Sequence, residues 1–112
     1  MIQTKRVYLK ADPSDGYRIL VDRLWPRGMR KEEAQIDLWL KEAAPSNELR
    51  KWFNHIPERF DEFSRRYLAE LQDSGALDTL RRITSEHATT TLLYAAKDES
   101  HNNAIVLKQL LG

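Results

Sequence analysis

Seven consecutive residues, Asp22-Arg23-Leu24-Trp25-Pro26-Arg27-Gly28, gather the groups best suited to chemistry in this chain. Asp22 offers a carboxylate that can exchange a proton or hold a cation. Arg23 and Arg27 each present a planar donor fork that matches phosphate or carboxylate. A second polar set, Lys97, Asp98, His101 and Asn102, lies near the C-terminal end. His55 stands between them in the chain and carries an imidazole, the side chain most often used for proton transfer. Asp22, His55 and Asp98 are therefore the candidate acid–base groups. Arg23, Trp25, Arg27, Gly28, Lys97 and Asn102 are candidates for holding a ligand.

Each of these residues also has a plainer reading. Asp22 beside Arg23 would serve as an ion pair or a loop tether. Arg27 could bond loop carbonyls. Trp25, Trp39 and Trp52 would pack in or at the rim of the core, because aromatic side chains bury large areas. His55, just before Pro57, could cap a helix dipole. His101 and Asn102 fit the start of a helix, and Lys97-Asp98 a turn. Arg65, Arg66, Arg81 and Arg82 read as solvated helix faces. The sequence has no Gly-x-Gly-x-x-Gly, Walker-type loop, His-Glu-x-x-His or Gly-x-Ser-x-Gly pattern. With three histidines and no cysteine, it offers no dedicated transition-metal site. No cofactor is implied, although a Mg²⁺ carried in by a phosphate ligand could rest on Asp22 or Asp98.

The elements that must position these groups can be followed in order. Ile2 to Leu9 is expected to be a first strand. Asp12-Pro13-Ser14-Asp15-Gly16 is a turn, in which Pro13 fixes φ and Gly16 permits positive φ. Tyr17 to Asp22 is a second, buried strand, stopped by Pro26 and Gly28. The short gap between these strands favours an antiparallel pairing, because a parallel crossover usually needs a dozen or more residues. Met29 to Gln35 is a polar loop or a single helical turn. Ile36 to Leu40 alternates apolar and polar residues, as a short edge strand or an extended segment would.

The middle of the chain is helical. Ser46 is an N-cap with Glu48 in the first turn, and Leu49, Trp52 and Phe53 form one face. Pro57 opens a second helix, whose stripe is Phe60, Phe63, Tyr67 and Leu71 and whose C′ residue is Gly75. A third helix begins near Ala76, with Leu77, Leu80 and Ile83 inward. Thr89 to Ala96 is the last strand, Lys97 to Ser100 turns, and Ala104, Leu107 and Leu111 mark a closing helix. This order predicts a small, layered α/β domain.

Length and charge narrow the function classes. The 112 residues suit one domain, covering 1–112. Eighteen basic and 17 acidic side chains leave a net charge of +1, so no whole-molecule field draws the chain to nucleic acid or membrane. The absence of cysteine fits a reducing compartment. No apolar run approaches a membrane span, and Met1 to Arg6 lacks a signal peptide's apolar core. A cytoplasmic setting is the expectation.

The run Val21-Asp22-Arg23-Leu24-Trp25-Pro26-Arg27-Gly28 resembles the signature of the YeaO-like family of bacterial proteins, a group described as a domain of unknown function. The resemblance continues through Ala44-Pro45-Ser46, Leu49-Arg50-Lys51-Trp52-Phe53 and His55. It then runs through Phe63, Arg66-Tyr67 and Glu70-Leu71. It closes with Leu93 to Asp98, Asn102, Ala104, Val106 and Leu107. It covers nearly the whole chain and adds Arg50 to the ligand-binding candidates. It implies a largely parallel sheet, with a one-turn crossover at Pro13 to Gly16, but no established activity. The wider group often carries Cys-His-Arg in the last region and a Glu just after the last strand. Here there is no Cys, and Ala96 stands at the Glu position.

Two functional readings follow. In open α/β sheets ligands bind beyond the carboxyl ends of the strands. If the second and last strands are parallel neighbours, Asp22, Arg23 and Arg27 converge with Lys97, Asp98, His101 and Asn102. The free N–H groups of the closing helix would add to an anion site there. The expected ligand is a small anion, phosphate- or nucleotide-like, and whether a reaction follows is left open. The other reading is a binding module for nucleic acid or a protein. Four of the 11 arginines lie between Arg18 and Arg30, and Trp25 could stack on a base. Near-zero net charge counts against nucleic acid.

Overall fold

The computed structural model describes residues 1–112. Four strands form one sheet in the order β1-β4-β2-β3, where β1 is Ile2–Arg6, β2 Tyr17–Leu20, β3 Leu38–Trp39 and β4 Thr90–Tyr94. Every pairing is parallel, with Ile2 and Tyr17 on either side of Thr90 and Leu20 between Leu93 and Trp39. The central strand β4 is buried along its whole length. A strand covered on both faces requires such an unbroken run of Thr, Leu and Tyr.

Five helices complete the fold: α1 Lys31–Ala34, α2 Asn47–Phe53, α3 Phe60–Ser74, α4 Ala76–Ser85 and α5 Asn103–Leu111. Alternation along the strands divides their side chains between two faces. Ile19, Val21, Leu92 and Tyr94 join the main core with Leu49, Phe53, Phe63, Tyr67, Leu80 and Leu107 of the helices. Leu20 and Leu93 point the other way, where Val7, Trp25, Met29, Ile36 and Trp39 cover them. No helix is long and apolar enough to cross a membrane.

The antiparallel pairing expected from the short first link is not what forms. Strands β1 and β2 are parallel, as the family resemblance implied, and they do not touch, because β4 lies between them. The link from Val7 to Gly16 steps sideways over one strand, about 10 Å, and returns along a short one, on the order of 16 Å. Ten residues span up to about 33 Å, so no crossover helix is needed. The link runs over the face opposite the large helices. Asp15, in the single 3₁₀ turn Pro13–Asp15, pairs there with Arg18 and with Lys5 at 3.1 Å. Thr91 donates to the Asp15 carbonyl at 2.6 Å. Gly16 ends the turn at φ +65, and a Cβ there would lie 2.3 Å from the Thr89 carbonyl oxygen.

Other elements follow their local signals. Ser46 accepts from the Leu49 N–H at 3.1 Å and caps α2. Gly75, at φ +73, ends α3 and admits the turn into α4. Leu38-Trp39 is the edge strand, and Lys31–Ala34 is the single helical turn. The first strand stops at Arg6 rather than Leu9, since Tyr8 and Leu9 turn out to solvent.

Candidate functional site

Because β2 and β4 are parallel neighbours, their C-terminal ends leave the sheet side by side. The next residues are stitched together by one carboxylate. Asp22 Oδ2 accepts from the Ala95 N–H at 2.8 Å, and Oδ1 accepts from the Asn103 side-chain amide at 3.2 Å. The same amide donates to the Val21 carbonyl at 2.9 Å. Asn103 is the first residue of α5, so strand end, strand end and helix start are fixed to one another. Burial pushes the Asp22 carboxyl above its ordinary value. The Ala95 N–H, the Asn103 amide and the charges of Arg50 and His55 pull it down without cancelling that rise.

The loop after Asp22 is held mainly through main-chain oxygens. Trp39 donates its indole N–H to the Asp22 carbonyl at 2.8 Å, and Trp25 donates to the Met29 carbonyl at 2.7 Å. The two indoles meet edge to face at 5.4 Å. The Tyr8 hydroxyl donates to the Arg27 carbonyl at 3.0 Å. Arg23 Nε donates to the Pro45 carbonyl at 3.3 Å. The Arg27 side chain is left exposed. Gly28 lies at φ +77 with open space around it, so the demand for glycine there is conformational rather than steric.

The helical side supplies the rest. Glu70 accepts from the Ser46 N–H at 2.8 Å and from its hydroxyl at 2.6 Å, which anchors the start of α2. Arg50 stands exposed on that helix, with only a long 3.4 Å bond to Asn47. Helix α2 ends in Asn54 at φ +48 and His55 at φ +56. Two successive non-glycine residues in the left-handed region are each unfavourable by about 1–3 kcal/mol, and such strain clusters at functional sites. The turn brings His55 to the same cleft. His101 is held by Asp98 at 2.9 Å and meets Phe60 edge-on at 5.2 Å. Asn102 is buried, accepts from the Ile105 N–H at 2.9 Å and donates to the Asp98 carbonyl at 3.0 Å.

These parts enclose a cleft of about 520 Å³. Asp22, Arg23, Trp25, Arg27, Arg50, His55 and Asn102 line it. Gly28, Lys97 and Asp98 do not, and Asp98 acts at one remove by orienting His101. Tyr8 and Asn103 were not among the sequence candidates, whereas His101, expected in the polar set after the last strand, does line the cleft. Asn103 gives no local signal, because its partners Val21 and Asp22 are 82 and 81 positions away. Tyr8 was hidden by the expectation that the first strand continued to Leu9. Asp22 and Arg23 do not form an ion pair with each other.

Charge sets the cleft apart. Three guanidiniums and one carboxylate give it +2, against +1 for the whole chain. Arg23, Arg27 and Arg50 pair with no carboxylate. Five of the other eight arginines do: Arg18, Arg30, Arg65, Arg66 and Arg81. No three His, Asp or Glu side chains converge to hold a metal ion. A second, more open depression of about 490 Å³ lies at the opposite strand ends, with Tyr17, Asp37 and His87 as its titratable groups.

Comparison with known proteins identifies relatives over the full length. The family described as the inactive DUF488-N3 subclade matches residues 1–112. The uncharacterised protein YeaO of Escherichia coli is 46% identical over 110 residues, covering 98% of this chain and 96% of that one. Uncharacterised proteins of Mycobacterium tuberculosis and Mycobacterium bovis are 48% identical over 111 residues, covering 99% of this chain and 93% of theirs. No solved structure matches the chain.

Proposed function

The chain belongs to the YeaO-like group of the inactive DUF488-N3 subclade, and from the charge of its cleft we propose that it binds a small anion at the strand ends. The observation that carries the reading is the set of three unpaired guanidiniums, Arg23, Arg27 and Arg50, around one cleft. A guanidinium left without a carboxylate where most others have one is suited to phosphate or carboxylate from outside. The cleft also lies where open α/β sheets take their ligands.

Binding rather than turnover is the reading we favour. The family's description as inactive supports it. So does the engagement of both Asp22 oxygens by Ala95 and Asn103, which makes that carboxylate a tether. The chain has no cysteine to act as a nucleophile.

Thermal unfolding in inorganic phosphate and in chloride at matched ionic strength tests the proposal. A ligand that binds only the folded state raises the melting temperature. The wild type and an Arg81→Ala control should melt several degrees higher in phosphate, and an Arg27→Ala/Arg50→Ala variant should lose that increment. Phosphate also stabilises proteins by exclusion from their surfaces. An equal rise in all three proteins would reflect that general effect and contradict a site on these arginines.

A further inference from the structure

The cleft is too large and too apolar for a bare inorganic anion. Its volume of about 520 Å³ falls in the range of sites that enclose whole organic ligands, roughly 300–1,000 Å³. Beside the guanidiniums, its lining includes the apolar residues Leu24, Pro26, Pro45, Phe53, Phe63 and Ala96. Most of these are covered by the core, but Leu24 is 61% exposed. A large apolar side chain held out beside unpaired cations is a surface that an amphipathic anion would cover.

We infer that the cleft takes a phosphomonoester carried on an aromatic body, in preference to free phosphate. The inference rests on the anion-binding reading of the same site. Other groups lining the cleft favour a planar ligand. The Arg27 and Arg50 guanidiniums, the Tyr8 ring and the His55 imidazole are all flat, and guanidinium and aromatic faces stack on aromatic rings. Tyr8 is 41% exposed, with the Arg6 guanidinium over its ring at 5.4 Å, and His55 is exposed, so both rings border solvent at the cleft. In this arrangement the guanidiniums hold the phosphate oxygens, and the ring lies against Leu24 and the apolar wall. Asp22, at the floor, stays out of contact with the phosphate because like charges repel.

Phenyl phosphate, inorganic phosphate and phenol are the probes, titrated by NMR into wild type, Leu24→Ser and Arg27→Ala. Phenyl phosphate should bind wild type at least about tenfold more tightly than inorganic phosphate, an advantage that burial of the ring's apolar area readily supplies. Phenol alone should bind more weakly than phenyl phosphate. Leu24→Ser changes an exposed side chain, so it should fold normally, keep its inorganic phosphate affinity and lose most of the aryl advantage. Arg27→Ala should weaken both phosphates. Phosphate binding with no aryl advantage in wild type, or an advantage untouched by Leu24→Ser, would overturn this inference alone. Failure of both phosphates to bind would remove the anion site itself.

Discussion

Asp22 ties the end of β2 to Ala95 and Asn103, 73 and 81 positions further on, and its environment makes it an unusual acid. Burial outweighs the donors and cations around it, so the folded state holds the Asp22 proton more tightly than the unfolded chain does. A raised carboxyl contributes stability that is present below the unfolded value, about 3.9, and fades as pH rises through the folded one. Asp15 runs the other way. Burial raises its carboxyl, but the Asp12 N–H, Lys5 and Arg18 together outweigh that, and its net value is lowered. Its stabilisation is present above the unfolded value and is lost as pH falls through the folded one. Side-chain carbon NMR across the acid range should show Asp22 titrating above, and Asp15 below, the ordinary aspartate position. The reverse order would contradict the burial assigned here. Asn103→Ala removes two donors from Asp22 and Val21 and should lower stability by about 1–3 kcal/mol, read as a shift of the urea midpoint.

At the scale of elements, two turns carry the positioning. Gly16→Ala would force a side chain against the Thr89 carbonyl at a φ that L-residues rarely adopt. It should destabilise by about 2 kcal/mol or more, and an unchanged denaturation midpoint would show that the crossover can relax. Ser46→Ala should cost about 1 kcal/mol, because α2 loses its cap and Glu70 loses a partner. Both turns were legible in the sequence, since Pro13, Gly16 and Gly75 act through their own backbone and Ser46 through a hydroxyl that caps the N–H three residues on. The closing helix was legible from the spacing of Ala104, Leu107 and Leu111, while Ile36 to Leu40 read equally as an edge strand or an extended segment. Strand partnership was not. A gap length says how far a link can reach, and it is silent on whether a strand from the far end of the chain will insert between the two it joins. Ten extended residues, spanning up to about 33 Å, reach over the inserted β4, and so a short link connects parallel strands.

For the molecule as a whole, the near-neutral net charge conceals an uneven distribution. A +2 cleft sits in a chain of +1, so the surface outside it is slightly acidic in sum. The sequence gathered Arg23 and Arg27 because they share a loop, and family resemblance added Arg50. The contributions of Tyr8 and Asn103 were not legible, because tertiary contacts alone bring them in. Association with an anion should weaken as salt rises, since the cleft is partly open and its charges are screened.

The most direct test of the anion site is an amide NMR titration of the wild-type protein with inorganic phosphate against a chloride reference. Shifts confined to Asp22–Gly28, the Arg50–His55 stretch and Ala95–Asn103 are the predicted result. Shifts that are absent, or that centre on the depression around His87 at the opposite strand ends, would contradict it.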